Sequence, residues 1–332
     1  MSFEFYNLRP YHTMSEAYEQ FAQAVQKGLS MKPKHLPSWL IFDDEGSEIF
    51  TEITRLDGYH PARCEIEILE EYKNMIMSLL EGDTFRVIEL GAGDGGKTEI
   101  LLEHFIGHGL VFDYVPIDIS IGATKNLVES LEVKYLTSRM SVKGFAADYF
   151  DGLNAVNEAP SHRNFVLFLG STIGNMKLQD AEKFVRKLWE SLNNHDYVMI
   201  GFDLMKDPKV LYSAYNDSTG IFEKFNLHLL DVINEKLGGD FSKENYVQQG
   251  QYNPKTHAVE SYIYSTREQV VSIDALRKKI SFCMWESMQT EHSYKYTESE
   301  ICTLAESNGY EIVRNLFDAE NQFVDSIWKV KK

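Results

Sequence analysis

The spacing of apolar residues changes along the chain near residue 85. Before that point, apolar residues recur three and four positions apart in residues 43–56 and 62–80, which predicts two amphipathic helices. Beyond it, short apolar runs alternate with helical segments. The runs occupy residues 85–90, 112–120, 142–150, 164–175 and 196–205. Strands that alternate with helices form βαβ units, so the pattern predicts a parallel sheet with helices on both faces.

The alternation stops at about residue 205. Residues 207–239 have helical spacing, and residues 258–273 are rich in Val, Tyr and Ile, which predicts a pair of strands. We therefore expect an α/β protein with a Rossmann-like sheet and a second, smaller α+β domain. The expected division assigns residues 65–204 and 295–332 to the sheet domain, and residues 1–64 and 205–294 to the smaller domain.

Composition narrows the classes of function. The chain has 332 residues, 43% of them hydrophobic, and its formal charge of −17 has the wrong sign for binding nucleic acid by counterion release. Cys64, Cys283 and Cys302 have no metal-ligand spacing, which is typical of reduced cytosolic thiols. No apolar run has the length of a membrane span, and the N-terminus does not resemble a signal peptide. We expect a cytoplasmic monomer that uses no metal and contacts no membrane.

A glycine-rich turn follows the first strand of the alternating region. Gly91, Gly93 and Gly96 satisfy the G-x-G-x-x-G pattern, and a helical segment begins directly after them. Such a turn directs backbone N–H groups at a ligand near the end of the sheet. The same pattern also occurs in tight strand-to-helix turns that bind nothing. Alone, the turn therefore leaves open whether it binds a ligand.

Two ligand classes fit this turn, a dinucleotide such as NAD and S-adenosylmethionine (SAM). Asp118, which ends the second strand, could bind the ribose hydroxyls of either ligand. Glu89, two positions before the first glycine, favours SAM, as do Asp148 and Tyr149 at the end of the third strand. There a carboxylate could accept from the adenine amino group and a ring could pack on the base. Each residue alone could instead be a loop acid or a core ring.

Seven segments of the chain occur in the order typical of one enzyme family. They are DDEGSEIFTEITRLDGYHPAR, IELGAGDGGKT, YVPIDIS, FLGSTIGN, DLMKDPKVLYSAYND, FNLHLLDVIN and TEHSYKY. Together they resemble the histidine-specific, SAM-dependent Nα-methyltransferases of ergothioneine biosynthesis, from about residue 35 to the end. The resemblance implies a Rossmann-like class I methyltransferase core with a second domain. It also implies a reaction that converts L-histidine to its trimethylated betaine, hercynine, in three SAM-dependent steps.

The same resemblance implies roles for individual residues. The cofactor contacts that it implies are Gly91, Lys97, Asp118, Asp148 and Tyr149. The residues that it implies for the carboxylate and the amine of the amino acid are Tyr59, Asn175 and Tyr215. Tyr59, or a water held by Asn175, could also take a proton from the amine. Glu291 and Ser293 match the pair that binds the imidazole.

The residue types of Glu291 and Ser293 suit an imidazole partner. Residues two apart on a strand point to the same side of the sheet. A carboxylate and a hydroxyl so placed can pair with the two ring nitrogens, one of which donates while the other accepts. The alternative is that both side chains lie on a solvated strand edge. The short segment TEHSYKY alone does not decide between these interpretations.

Two positions depart from the family pattern. Phe42 stands where a tyrosine is expected near the reacting amine, and Ser261 stands where a methionine is expected against the substrate side chain. A phenylalanine ring cannot carry a proton, and a serine makes a pocket larger and more polar. Both changes leave open the exact substrate and the number of methyl groups transferred. The rival functions are methylation of another amino acid such as tryptophan or a modified histidine, a NAD-dependent oxidoreductase, and a non-catalytic SAM-binding module.

Overall fold

The protein divides into two compact units. A computed structural model describes residues 2–8, 13–80, 84–157 and 162–332. Unit 1 comprises Met1–Arg9, Pro61–Met205 and Tyr296–Lys332, and unit 2 comprises Pro10–His60 and Lys206–Lys295. We expected the first residues to belong to the smaller domain, but Phe3–Asn7 forms a strand in the large sheet of unit 1.

The described segments form strands and helices in the following order. The strands are β1 (Phe3–Asn7), β2 (Lys34–His35), β3 (Phe85–Leu90), β4 (Phe112–Asp118), β5 (Met140–Ala146), β6 (Arg163–Phe168), β7 (Tyr197–Asp203), β8 (Tyr246–Asn253), β9 (Ala258–Ser265), β10 (Gln269–Ile273), β11 (Lys278–Phe282), β12 (Ser287–Tyr294), β13 (Tyr310–Phe317) and β14 (Phe323–Val330). The helices are α1 (Thr13–Ser30), α2 (Asp44–Thr54), α3 (His60–Ser78), α4 (Glu99–Gly107), α5 (Ile121–Tyr135), α6 (Tyr149–Asn157), α7 (Leu178–Ser191), α8 (Pro208–Ala214), α9 (Ile221–Leu237) and α10 (Glu298–Ser307).

An eight-stranded sheet with the order β1-β5-β4-β3-β6-β7-β14-β13 forms the centre of unit 1. The first six strands of that order run parallel, as the alternating pattern predicts. β14 pairs antiparallel with both β7 and β13, so the sheet is mixed at one edge. The chain moves from β3 to β4 on one side and later to β6 on the other. Ligands of open α/β sheets bind at the carboxyl ends of the strands that flank such a reversal.

The core of unit 1 explains why these strands form. Every residue of β3 is buried, as expected for a central strand that is covered on both faces. Phe85 stacks on Phe112 with ring centroids 5.4 Å apart, and Phe105 of α4 contacts both rings edge-on at 5.6 Å. Burial of such side chains supplies the dominant stabilisation of the sheet. One boundary differs from our prediction, because the strand expected over residues 142–150 ends at Ala146.

Unit 2 contains a four-stranded sheet with the order β2-β12-β9-β8 and a separate β10-β11 hairpin. Residues 258–273 do form two strands, but our prediction that they pair with each other is wrong. β9 lies between β12 and β8, while β10 pairs antiparallel with β11. The apolar pattern reveals extended backbone, whereas the pairing is decided by which later strands reach each edge.

Candidate functional site

The glycine turn of unit 1 connects β3 to α4. Gly91, Gly93 and Gly95 all have left-handed backbone torsions, with φ of 77°, 54° and 72°. Glycine adopts this region without the penalty that a Cβ brings. Asp118, at the end of β4, accepts from the Gly93 N–H at 3.0 Å and from the Ser120 N–H at 2.9 Å. Each carboxylate oxygen therefore braces local backbone and still has a lone pair for a ligand hydroxyl.

Glu89 lies under this turn and is buried. Its carboxylate accepts from the Thr98 hydroxyl at 2.7 Å and from the Tyr114 hydroxyl. Burial raises the pKa of Glu89 to about 7, although the hydrogen bonds from Tyr114 and Thr98 and the charge of Lys97 oppose that shift. The Glu89 side chain thus has a structural role, because its hydrogen bonds hold the turn that follows β3.

Tyr149, the first residue of α6, stands beside the glycine turn. A Cβ built on Gly91 would lie 3.2 Å from the Tyr149 hydroxyl oxygen, and the Tyr149 ring packs edge-on against Phe168 at 5.7 Å. Burial raises the pKa of Tyr149, and the negative charges of Asp118 and Asp148 raise it further. The structure therefore brings four of the five cofactor residues expected from the sequence together at the carboxyl ends of β3, β4 and β5.

Lys97, the fifth expected cofactor residue, forms an ion pair with Glu65 of α3. The other Glu65 oxygen accepts from the Gly170 N–H at 2.7 Å. Burial lowers the pKa of Lys97, but the charge and hydrogen bond of Glu65 outweigh it, so the pKa is raised. The sequence analysis missed Glu65. Its signal is an acid on the apolar face of α3, three and four residues before Ile68 and Leu69.

A second buried acid, Asp325 of β14, lies beside Glu65. A Cβ built on Gly201 would meet Glu65 Oε1 at 2.4 Å and Asp325 Oδ1 at 3.1 Å, which places both carboxyls at one point of the sheet. Burial, together with the charge of Glu65, raises the pKa of Asp325 well above its usual value. Burial therefore favours the protonated form of Asp325, which lies beside the Glu65–Lys97 ion pair. An acid within the apolar segment FVDSIWKV was the available signal.

The residues around the glycine turn fit SAM. Asp118 retains acceptor capacity for ribose hydroxyls. The Asp148 carboxylate is exposed and accepts locally from the Phe150 N–H at 3.1 Å. The Tyr149 ring offers an apolar face for a base. A Cβ built on Gly93 would meet nothing within 4 Å, so the turn faces open space. These donors, acceptors and surfaces match the nucleoside part of SAM.

Asn175 also belongs to unit 1, where it ends a short 3-10 helix, Thr172–Asn175. The preceding Gly170 and Ser171 have φ of 75° and 54°, so the chain turns sharply after β6. The Ser171 hydroxyl accepts from the Asp203 N–H at 3.1 Å and thereby ties this turn to β7. Asn175 is exposed at the end of the turn, available to a ligand.

Tyr59 and Tyr215 lie in a cluster of aromatic rings in unit 2. Their ring centroids are 6.2 Å apart, and Phe222 contacts both rings, at 5.7 and 5.2 Å. Phe50 extends the cluster from Tyr59 to Phe42, with centroid distances of 6.3 and 5.5 Å. Phe42, the position without the expected hydroxyl, is partly exposed at the far end of the cluster.

Glu291 and Ser293 are buried on β12, which is an interior strand of its sheet. The alternative of a solvated strand edge is therefore wrong. Ser261 lies directly opposite Glu291 on β9, and its hydroxyl donates to the Glu291 carboxylate at 3.3 Å. Burial raises the pKa of Glu291, while the Ser261 hydrogen bond and the charge of Lys295 oppose the shift. Ser261 thus contacts the residue assigned to the imidazole.

The sequence analysis also missed Lys295, which is fully buried. Its Nζ donates to the Ser293 hydroxyl at 2.8 Å and to the Tyr215 hydroxyl at 2.9 Å, and the Tyr215 hydroxyl donates to Ser293 at 2.8 Å. The signal was the two-residue spacing of Glu291, Ser293 and Lys295, which places all three on one side of an extended segment. Ser293 is therefore already hydrogen-bonded inside unit 2.

The described residues offer neither a metal cluster nor a membrane-spanning helix. No group of three or more His, Cys, Asp or Glu side chains in the described ranges could hold a metal ion. Within those same ranges, no helix combines the length and the apolar character needed to cross a membrane.

The chain is similar to known methyltransferases over most of its length. The histidine N-alpha-methyltransferase of Mycolicibacterium smegmatis is 30% identical over 302 residues, which are 91% of this chain and 92% of that protein. Ergothioneine biosynthesis protein 1 of Neurospora crassa is 29% identical over 85% of this chain, but the match spans only 32% of that longer protein. The 4-dimethylallyltryptophan N-methyltransferase of Claviceps purpurea is 29% identical over 208 residues, or 59% of each chain.

A family model also matches most of the chain. Residues 21–330 match the model described as histidine-specific methyltransferase, SAM-dependent. This range includes every residue that the sequence analysis assigned to the cofactor or the substrate. It confirms the resemblance stated from the seven segments and favours SAM over NAD as the ligand of the glycine turn. The chain therefore belongs to the family of histidine-specific, SAM-dependent methyltransferases.

Proposed function

We propose that the protein methylates the α-amino group of L-histidine with SAM as the donor, and that three transfers give hercynine for ergothioneine biosynthesis. The observation that carries this proposal is the buried pair Glu291 and Ser293, in a chain of the histidine-specific family. A buried carboxylate and hydroxyl two residues apart suit the two nitrogens of an imidazole. A side chain without ring nitrogens would leave the remaining donor of Ser293 and the remaining acceptor position of Glu291 unsatisfied, and that is energetically unfavourable.

The proposed cofactor residues are those of unit 1. When bound, SAM supplies a methyl group on a positively charged sulfur that is already a good leaving group. Asp118 would hold the ribose hydroxyls, and Asp148 and Tyr149 would hold the base beside Gly91. Lys97, oriented by its ion pair with Glu65, would bind a carboxylate. With a good leaving group, the remaining task of the protein is to align the amine and to exclude water.

The proposed amine and carboxylate residues are Tyr59, Asn175 and Tyr215. A free amino acid carries an ammonium near neutral pH, and its nitrogen can attack only after a proton leaves. Tyr59, or a water held by Asn175, would accept that proton. The faces of the Tyr59 and Tyr215 rings would favour the cationic methylated forms.

The proposals for location and assembly rest on the sequence. We propose that the protein acts in the cytoplasm and as a monomer, on small amino acids. The three widely spaced cysteines and the formal charge of −17 support this proposal.

A reaction of the purified protein with SAM and each of the twenty amino acids tests the proposal. We expect mass spectrometry to show one to three added methyl groups on histidine, with fragmentation placing them on the α-nitrogen. A site that hydrogen-bonds a ring nitrogen can reject an analogue without it by up to about 10⁴-fold, so phenylalanine should react far more slowly. Faster methylation of tryptophan would contradict the proposal and support the rival suggested by Phe42, Ser261 and the dimethylallyltryptophan-methylating relative.

A further inference from the structure

Three polar side chains form a closed triangle in unit 2. Lys295 Nζ donates to Ser293 Oγ at 2.8 Å and to Tyr215 Oη at 2.9 Å. Tyr215 Oη completes the triangle by donating to Ser293 Oγ at 2.8 Å. All three residues are buried, and Lys295 has no exposed surface at all. The proposed function gives roles to Tyr215 and Ser293 but none to this buried cation.

The triangle decides what the Ser293 hydroxyl can do. A serine hydroxyl has one proton to donate and two lone pairs that accept. Lys295 and Tyr215 occupy both lone pairs of Ser293. The ammonium of Lys295 carries only donors, so it cannot accept the Ser293 proton. Ser293 is therefore left with one free function, which is to donate a hydrogen bond to a further partner.

Glu291 has the complementary function two residues earlier on the same strand. An ionised carboxylate only accepts, and Ser261 occupies one acceptor position of Glu291 at 3.3 Å. The pair thus offers an acceptor at Glu291 and a donor at Ser293. A neutral imidazole has one N–H and one bare nitrogen and satisfies both. An imidazolium has two N–H groups, and an indole has no bare nitrogen, so each leaves Ser293 without an acceptor.

We infer that Lys295 is a positioning residue that makes Ser293 an obligate donor, so that the Glu291–Ser293 pair binds the neutral imidazole of histidine and rejects the imidazolium. This inference rests on the proposed function. The positive charge of Lys295 acts in the same direction, because it repels a cationic ring. Lys295 therefore sets the protonation state of the bound side chain, as well as discriminating against ring systems without an acceptor nitrogen.

The groups around the pair define which variants are needed. Among the described residues, three titratable or charged groups belong to the pair or contact it. They are Glu291 on β12, Lys295 directly after β12, and Tyr215 directly after α8. β9 places Ser261 and Val259 opposite Glu291 and Ser293, and neither titrates. On α9, Asn226 binds Thr290, and His228 is hydrogen-bonded to Asp43. Because burial raises the pKa of Glu291, its own titration must be removed in a separate variant.

Calorimetric titration of L-histidine into the protein saturated with S-adenosylhomocysteine, at pH 5.5 and pH 7.5, tests the inference. The α-amine and α-carboxylate keep their charges over this range, whereas the imidazole, with a pKa of about 6.5, falls from about 90% to about 10% neutral. We expect the parent to lose about tenfold in affinity at pH 5.5. Lys295→Met should bind more weakly at pH 7.5 and show little change with pH, because Ser293 regains a lone pair and can accept from an imidazolium.

Three further variants separate this role from a structural one. Lys295→Arg keeps a donor-only cation and should keep the pH dependence. Glu291→Gln cannot titrate but leaves the triangle intact, so its weaker binding should still fall at pH 5.5. Tyr215→Phe frees one lone pair of Ser293 while keeping the ring and should also flatten the dependence. If Lys295→Met does not fold, Tyr215→Phe provides the test. Loss of S-adenosylhomocysteine binding would reveal that Lys295→Met does not fold.

The outcomes distinguish this inference from the proposed function. If the parent binds histidine, and its affinity changes with pH in parallel with that of Lys295→Met and Tyr215→Phe, the role of Lys295 is overturned. The proposed substrate would not be affected by that result. A parent that binds S-adenosylhomocysteine but not histidine at pH 7.5 overturns the proposed substrate and the inference with it. Flattened curves in both variants, with the dependence kept in Lys295→Arg and Glu291→Gln, establish the inference.

Discussion

Glu89 shows how a residue that resembles part of a cofactor motif can serve the fold. Its two oxygens accept from Thr98 and Tyr114, and it is buried under the glycine turn. Sequence reasoning used Glu89 as evidence for SAM, and the family match supports that ligand. The structure adds the reason for an acid at this position, because one carboxylate ties β3, β4 and the start of α4 together.

The burial of Glu89 predicts a pH effect on stability. Its folded pKa of about 7 lies above its ordinary value of 4.5, so between these values the folded state binds more protons than the unfolded state. The stability contributed by this group is present below pH 4.5 and is lost as the pH rises through 7. Glu89→Gln mimics the protonated form. We expect its unfolding free energy, from urea denaturation, to fall less between pH 5 and pH 7.5 than that of the parent. Equal losses in the two proteins would show that Glu89 does not titrate as argued.

Other single residues could not be assigned from the sequence alone. Glu65, Lys295 and Asp325 are charged residue types in apolar surroundings, and each pattern has an exposed explanation as well as a buried one. Ionisable groups are rarely buried without partners, and those partners come from distant segments. Glu65 meets Lys97 and Gly170, which are 32 and 105 residues away.

At the scale of elements, the turn after β3 and the end of β4 act together. Asp118 accepts the Gly93 N–H, so the acid shapes the turn in addition to facing a ligand. Asp118→Ala removes this bond and the proposed partner of the ribose hydroxyls. We expect it to weaken S-adenosylhomocysteine binding, measured by calorimetry, by about 1.5–3 kcal/mol. Asp180→Ala, which removes an exposed acid of α7 bonded to Lys183, is the matched control and should bind like the parent. Unchanged affinity in Asp118→Ala would remove Asp118 from the cofactor site.

Strand β12 shows why pattern alone did not define the substrate residues. Its pairing with β9 shifts register between Gln289 and Glu291, and Thr290 and Glu291 are both buried although they are adjacent. A bulge re-aims side chains in this way and interrupts the two-residue period. The sequence segment predicted that Glu291 and Ser293 share a side, but only the register with β9 shows that Ser261 faces Glu291.

At the scale of the whole molecule, each of the two units is assembled from separate segments of the chain. Ligand binding to unit 1 should be detectable as a change in the stability of the folded protein. A ligand that binds only the folded state stabilises it by about 2.7 kcal/mol at one hundred times its dissociation constant. We expect S-adenosylhomocysteine to raise the melting temperature in a concentration-dependent way, measured by scanning calorimetry. NADH at the same concentration should leave it unchanged. A rise with NADH and none with S-adenosylhomocysteine would support the oxidoreductase alternative.

The sequence by itself determined the alternation of strands and helices in unit 1, the glycine turn, the family and its cofactor. These properties depend on local spacing and on residues that are neighbours along the chain. Tertiary structure alone decided that β9 pairs with β12 and β8, that β1 joins the large sheet, and that Lys295 closes a triangle with Tyr215 and Ser293. The physical reason is that a hydrogen bond or a buried charge is satisfied by whichever group folding brings within about 3 Å, and sequence separation does not limit that choice.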